Sequence, residues 1–179
     1  MKINAKQITT TAVLLAICII SQFFKNTSIF ITGPIINACL ILAGLSVGMT
    51  CGIILSIITP ITSFFITGSP IMAAMPMILP CIIIGNIILV VLTCLLQDKI
   101  NGNAGLPVGM VAGSIVKALF MGVAISLIIV PMMIPVKMHA KMATIQMTFS
   151  VFQLITALIG CVYAYIIWIP LKKVMNEVQ

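Results

Sequence analysis

Residues 106–134 read LPVGMVAGSIVKALFMGVAISLIIVPMMI, an apolar run interrupted by a single charged residue, Lys117. At a rise of about 1.5 Å per residue, about 20 such residues cross the hydrocarbon core of a bilayer as a helix. Helices buried in the core of a soluble domain seldom carry an apolar run of that length. The stretch therefore predicts a transmembrane helix, and it decides the fold class of the chain.

Five further apolar runs meet the same criterion. The second and third are separated only by residues 44–48, and Pro76 and Pro80 are expected to kink the fourth. We predict an all-α integral membrane bundle of six transmembrane helices that forms a single domain over residues 1–179. The predicted spans cover approximately residues 8–24, 29–45, 47–66, 70–96, 106–134 and 142–169.

The composition supports lipid as the solvent of this chain. Hydrophobic residues make up 62% and charged residues only 6%, with a mean hydropathy of +1.34. A soluble domain has roughly a quarter of its residues charged, so this chain could not cover its surface in water. The net charge of +7 comes from scattered lysines, most of which flank apolar runs, and we therefore expect no nucleic-acid partner.

The distribution of lysines predicts the orientation of the bundle, because loops rich in basic residues stay in the cytoplasm. Tyr163, Tyr165 and Trp168, just before Lys172, resemble the aromatic residues that anchor a helix at the membrane interface. We predict both termini in the cytoplasm. This orientation places Lys2, Lys6, Lys99, Lys172 and Lys173 inside and leaves Lys25, Lys137 and Lys141 outside.

Lys117 is the most informative single residue. It lies about 16 Å of helical rise beyond Leu106, near the bilayer centre, where a charge is costly and usually faces a polar cavity or a partner. The two acidic residues, Asp98 and Glu177, both fall outside the apolar runs. We expect Lys117 to line a ligand cavity and to favour an anionic or carbonyl-bearing group. The alternatives are a neutral lysine held by carbonyls and a lysine buried against another subunit.

The sixth span carries a stripe of polar and aromatic residues at the spacing of one helix face. Such a stripe suits a small-molecule pocket, but interhelical hydrogen bonds use the same residue types. The stripe consists of Gln146, Phe149, Ser150, Gln153 and Thr156. Asn37 is a further candidate, whereas Asn86 lies deeper and is expected to be structural. The predicted substrate-binding residues are Asn37, Lys117, Gln146, Phe149 and Gln153.

Several kinds of chemistry find no support in the sequence. No predicted span holds an Asp or Glu, so coupling to protons or sodium through carboxylates is not indicated. The chain has no HExxH motif, no Ser/His/Asp set, no phosphate-binding glycine-lysine loop and no CxxC pair. We therefore predict no enzyme activity, no metal site and no cofactor. The function class that remains is a protein that binds a solute but does not power its transport.

Four stretches of the first three spans carry a resemblance to a known family. They are Ala12-Val-Leu-Leu-Ala16, Ile31-Thr-Gly-Pro-Ile-Ile-Asn-Ala, Leu42-Ala-Gly-Leu-Ser-Val-Gly and Gly52-Ile-Ile-Leu-Ser-Ile-Ile-Thr-Pro. With these stretches and its six predicted spans, nearly the whole chain resembles a substrate-binding S component of the energy-coupling factor (ECF) vitamin transporters. The first stretch matches the AxxxA contact motif of that family.

The resemblance implies a multi-pass protein of the bacterial plasma membrane that binds a vitamin or a related micronutrient near the outer face. It implies two kinds of partner, a transmembrane coupling subunit and two cytoplasmic ATPases that tilt the S component and deliver its ligand inward. Ala12 and Ala16 would face the coupling subunit. The loops of residues 25–28 and 67–69 would gate the pocket through Lys25, Asn26, Thr67 and Ser69. The alternative is a self-assembling secondary carrier or channel for a small anionic solute.

Overall fold

The computed structural model describes residues 5–25, 28–100 and 104–177, and all regular structure in these ranges is helical. A π-helical segment, Gly122–Ile129, joins α6 to α7, and a 3-10 helix, Val136–Lys141, precedes α8. The α-helices are α1 (Ala5–Gln22), α2 (Ile29–Ser46), α3 (Met49–Thr67), α4 (Pro70–Ala74), α5 (Ile78–Lys99), α6 (Gly105–Met121), α7 (Val130–Met133), α8 (Met142–Phe149) and α9 (Val151–Glu177).

Five helical stretches among the described residues are long and apolar enough to cross a membrane, and one apolar helix is shorter. The prediction of an all-helical protein with several membrane-crossing segments is thus confirmed. The shorter helix, Gln7–Gln22, is the first of the predicted spans. The five longer stretches are Ile29–Ser46, Met49–Thr67, Ile78–Lys99, Gly105–Met133 and Val136–Lys173.

Two of the predicted spans are divided in the structure. The run of residues 70–96 is interrupted between Ala74 and Ile78, where Met75 adopts φ −131° and ψ 76°. Pro76 explains the break, because the residue before a proline is driven out of the helical region. Pro80 causes none, since it lies in the first turn of α5, where backbone N–H groups have no intrahelical acceptor. The run of residues 142–169 is interrupted at Ser150, with φ −118° and ψ −86°.

Short connections make consecutive spans antiparallel, so the bundle has two distinct ends. We call the end where α1 finishes and α2 begins the Lys25 end, and the end where α5 finishes the Lys99 end. The C-terminus of α9 also lies at the Lys99 end. Trp168 of α9, which was expected at the membrane interface, is only 7% exposed and packs in a core between α2, α5, α6 and α9, whereas Tyr163 is exposed.

A row of glycines brings α6 against α5. Gly105, Gly109 and Gly113 follow one another at intervals of four residues and so share one helix face. A Cβ atom at Gly109 would lie 2.8 Å from the carbonyl oxygen of Thr93 on α5, which leaves room for a hydrogen atom only. Such small residues allow two membrane helices to approach closely. Lys117 occupies the next position of the same series, and the close packing therefore turns Lys117 towards α5.

A second close contact joins α2 to α9. A Cβ atom at Gly160 would lie 2.7 Å from Cβ of Asn37 and 2.8 Å from the carbonyl oxygen of Pro34. One turn earlier in both α2 and α9, a Cβ atom at Gly33 would lie 2.9 Å from Cβ of Thr156. The backbone around Asn37 is therefore fixed by packing, and the amide of Asn37 is directed into the bundle.

Candidate functional site

A cavity of about 190 Å³ lies in the half of the bundle nearest the Lys25 end. It is lined by the residue after α1, the beginning of α2 and α5, the end of α3, α4, the last part of α6, and the junction of α8 and α9. The polar residues in its lining are Lys25, Thr32, Asn37, Thr59, Ser63, Ser69, Asn86, Lys117, Thr148 and Gln153. The remainder of the lining is apolar, with Ile29, Gly33, Ile36, Pro60, Ile71, Met72, Ile82 and Phe149.

The floor of the cavity is built around Lys117, whose side chain is 2% exposed. Its Nζ donates hydrogen bonds to Oδ1 of Asn37 at 2.6 Å and to Oδ1 of Asn86 at 2.8 Å. The amine thereby joins α2, α5 and α6 in one polar network in the middle of an apolar bundle. Both acceptors are uncharged amides, so the network holds the amine without supplying a negative charge.

Asn86 has the same relation to Lys117 as Asn37 has. The sequence suggested a structural role for Asn86 and a ligand-binding role for Asn37, but both side chains hold the lysine and both line the cavity. The signal that could have found Asn86 is its position in α5. It stands near the level of Lys117, and the glycine row of α6 packs against the same helix. An amide at that depth is a ready partner for a buried amine.

Lys25 lies just beyond the end of α1 and lines the mouth of the cavity. Its Nζ donates a hydrogen bond to Oγ of Ser63 at 2.6 Å, which ties the α1–α2 connection to α3. Burial lowers the pKa of the Lys25 amine. Of the other predicted gating residues, Ser69 lines the cavity, Thr67 donates to the carbonyl oxygen of Ser63 at 2.7 Å, and Asn26 lies outside the described residues.

The predicted stripe of the sixth span is divided between two surfaces. Phe149 and Gln153 line the cavity. Gln146 does not: its Nε2 donates to the carbonyl oxygen of Ser126 at 2.8 Å, and Oγ of Ser126 donates to the carbonyl oxygen of Gln146 at 2.8 Å. On an unbroken helix Gln146 and Gln153, seven residues apart, would share a face. Because the helix is interrupted at Ser150, the side chains of Gln146 and Gln153 point in different directions. Gln146 is engaged in the reciprocal contact with Ser126.

Neither Ala12 nor Ala16 belongs to the cavity lining. Both are exposed on the side of α1 that faces away from the bundle, next to Val13, which is 54% exposed. Because the side chains of Ala12 and Ala16 are small, this face of α1 offers a shallow surface to which another helix could pack closely. The structure thus separates the proposed coupling surface from the cavity.

Comparison with known proteins places the chain in a functional context. A model of a protein family, described as the substrate-specific component of the ECF transporter, matches residues 6–172. No curated protein and no solved structure matches the chain. The matched residues run from the first turn of α1 into the last part of α9, and they include every residue of the cavity lining.

Proposed function

The chain belongs to the substrate-specific components of the ECF transporters, and we propose that it captures a vitamin or a related small micronutrient in the cavity above Lys117. The family consists of transporter components rather than enzymes, and its members bind small molecules and work with a coupling module and ATPases. In this chain, delivery would follow when the loaded protein docks on the transmembrane coupling subunit and the ATPases hydrolyse ATP.

One observation carries the proposal: a buried amine at the floor of a cavity in the membrane. An ionisable group at that depth is costly and is retained where it serves a ligand or an ion pathway. The cavity does not cross the bundle, since its lining is confined to the half nearest the Lys25 end. A cavity confined to one half of the bundle suits a binder better than a channel.

The size of the cavity supports a compact ligand. Pockets for drug-sized ligands have volumes of about 300–1,000 Å³, whereas this cavity measures about 190 Å³. Apolar side chains such as Ile36, Ile71 and Phe149 stand in its lining beside polar groups such as Asn37 and Lys117. A micronutrient with a small ring and few polar substituents fits this distribution.

We count α1 as a membrane-spanning helix in addition to the five longer stretches, which makes six spans. We place both termini in the cytoplasm, and in this orientation the cavity opens towards the outside. The Lys25–Ser63 hydrogen bond at the mouth supports a gate made of the connections at residues 25–28 and 67–69. Opening would require this bond to exchange with water. Asn37, Lys117, Phe149 and Gln153 are the residues that we assign to the ligand.

The exposed small-residue face of α1 supports docking through Ala12 and Ala16. Helices pack closely in membranes where small residues line the interface, so a large side chain there would keep the partner away. Docking on this face would leave the cavity mouth free, because neither alanine belongs to the lining.

Copurification with the coupling module tests this proposal. The tagged chain is co-expressed with an ECF coupling subunit and its two ATPases, alone or with the double substitution Ala12→Trp and Ala16→Trp. We expect the unaltered chain to retain the three partners. The amount of partner that copurifies with the double variant should be at least tenfold lower. Val162→Trp, at an exposed position of α9, is the matched control and should retain them. The proposal fails if the unaltered chain brings down no partner.

A further inference from the structure

We propose that the ligand is a compact organic monoanion, of the carboxylate class, whose negative group binds to the ammonium of Lys117 at the cavity floor. The inference rests on the proposed function, because it names the substrate class of the same cavity. It goes further in fixing the charge of the ligand and its direction, with the anionic group towards the centre of the bundle and the remainder towards Lys25.

The first argument comes from the positions of the acidic residues in the chain. The sequence contains only two acidic residues, Asp98 and Glu177. Asp98 lies in the last turn of α5 and Glu177 at the end of α9, both at the Lys99 end, whereas the cavity lies in the opposite half. Neither of these two acidic residues lies in the half of the bundle that holds the cavity, so neither is placed to neutralise Lys117. A buried charge needs a partner in a medium of low dielectric constant, and a bound anion would supply it.

The hydrogen bonds of Lys117 carry the second step. A lysine ammonium has three N–H donors and no acceptor. Two donors are taken by Oδ1 of Asn37 and Oδ1 of Asn86, and among the described residues no third acceptor contacts Nζ. The remaining N–H is available to a ligand oxygen, because Lys117 lines the cavity. A bond from an ammonium to a carboxylate is short and about twice as strong as one between neutral groups.

The lining as a whole carries the third step. Among the residues that the structure describes, it contains two lysines, Lys25 and Lys117, and no acidic residue. Asn37 and Asn86 turn their oxygens to the amine, so that their amide nitrogens add further donors near the floor. A chamber with one sign of charge and walls of low dielectric constant concentrates ions of the opposite sign and repels cations. A single ammonium at the floor balances one negative charge, and an additional charge on the anion would remain uncompensated there.

The position of Lys25 gives the ligand its direction. Lys25 is only partly buried and is already engaged with Ser63 at the mouth, whereas Lys117 is enclosed at 2% exposure. An anion therefore gains more from the enclosed amine than from the amine at the mouth. The apolar side chains between them, including Ile36, Ile82 and Phe149, are left to contact an aliphatic or aromatic body.

Two measurements test the inference. Small molecules released by denaturing the purified, lipid-embedded protein are identified by mass spectrometry, and we expect a compound with one carboxylate. Ligand-free protein is then titrated with benzoate and with benzamide, which share shape but differ in charge, and thermal stabilisation is recorded. We expect benzoate to bind at least tenfold more tightly than benzamide. A neutral or cationic released compound, or equal binding of the two probes, would overturn the inference.

Substitutions locate the anion. Lys117→Met should abolish the preference for benzoate, whereas Lys99→Met, at an exposed lysine of the opposite end, should leave it unchanged. Lys25→Met should reduce benzoate affinity by only a few fold. If Lys117→Met does not fold, the comparison of benzoate with benzamide on the unaltered chain still decides whether the cavity prefers an anion. An unchanged preference in folded Lys117→Met would overturn the inference.

The outcomes for the two proposals are separable. Copurification with the coupling module together with a neutral ligand would retain the proposed function and overturn the charge assignment. Selective benzoate binding through Lys117 without any association with the coupling module would retain the charge assignment and overturn the proposed function.

Discussion

Lys117 could be identified from the sequence because its depth in an apolar run and the absence of acidic residues in the spans are both visible there. Its partners could not be identified in the same way. Asn37 and Asn86 lie 80 and 31 residues away along the chain, and only the packing of α2, α5 and α6 brings their oxygens to the amine. The sequence therefore predicts which side chain needs partners, while the partners themselves depend on tertiary contacts.

Gln146 and Gln153 offer a matched pair at the residue scale. Gln146→Leu removes the hydrogen bond from Nε2 to the carbonyl oxygen of Ser126, whereas the bond from Oγ of Ser126 to the backbone carbonyl of residue 146 remains. Hydrogen bonds between membrane helices contribute about 0.6 to 1.7 kcal/mol. We expect the free energy of unfolding of this variant to fall by about 0.5–2 kcal/mol, with unchanged affinity for the bound anion. Gln153→Leu should instead weaken binding several-fold with a smaller effect on stability.

Chemical denaturation and ligand titration of the two variants in the same detergent measure both quantities. Gln146 would have to be assigned to the ligand site, as the sequence first indicated, if Gln146→Leu weakened binding and Gln153→Leu did not. The present assignment depends on Gln146 being engaged with Ser126 and absent from the cavity lining.

At the scale of the elements, hydropathy predicted the apolar runs but not their interruptions. The break between α4 and α5 follows from Pro76, whose effect on Met75 is local and was anticipated as a kink. The break at Ser150 has no proline beside it and was not predicted. It matters for function, because it separates Gln146 from the face that carries Gln153. The four-residue spacing of the glycine row of α6 is visible in the sequence and could have predicted the close contact with α5.

Gly109→Ala tests the importance of that row. A Cβ atom at this position would lie 2.8 Å from a backbone oxygen of α5, and backbone cannot move aside as a flexible side chain can. We expect a loss of about 1–3 kcal/mol in the free energy of unfolding, which is typical of an overfilled contact. Ligand affinity should fall as well, because displacement of α6 moves Lys117 away from Asn86.

Gly122→Ala is the matched control, since its nearest neighbour, Cβ of Ser150, would be 3.5 Å from the new Cβ atom. This variant should be as stable as the unaltered chain or slightly more stable, because alanine favours the helix by up to about 1 kcal/mol. Denaturation curves recorded side by side decide the matter. Equal stability of the Gly109 and Gly122 variants would contradict close packing of α6 on α5.

At the scale of the whole molecule, composition alone predicted a helical membrane protein, and the motifs of the first three spans indicated the ECF family to which the chain belongs. The cavity could not be predicted as a volume, because its lining comes from seven separate helices. Its chemical character was nevertheless foreseeable in part, since Asn37, Lys117, Phe149 and Gln153 were all candidates and all line it. Small differences in helix direction, such as that at Ser150, decided which candidates reached the cavity.

The central claim is that this chain binds its ligand but cannot power its passage, and uptake into sealed vesicles tests it most directly. Vesicles would contain either the chain alone or the chain with an ECF coupling subunit and two ATPases, and accumulation of the copurified ligand would be followed with and without ATP on the side of the ATPases. We predict accumulation against a gradient only when the coupling module and ATP are both present. Accumulation by the chain alone would contradict the account.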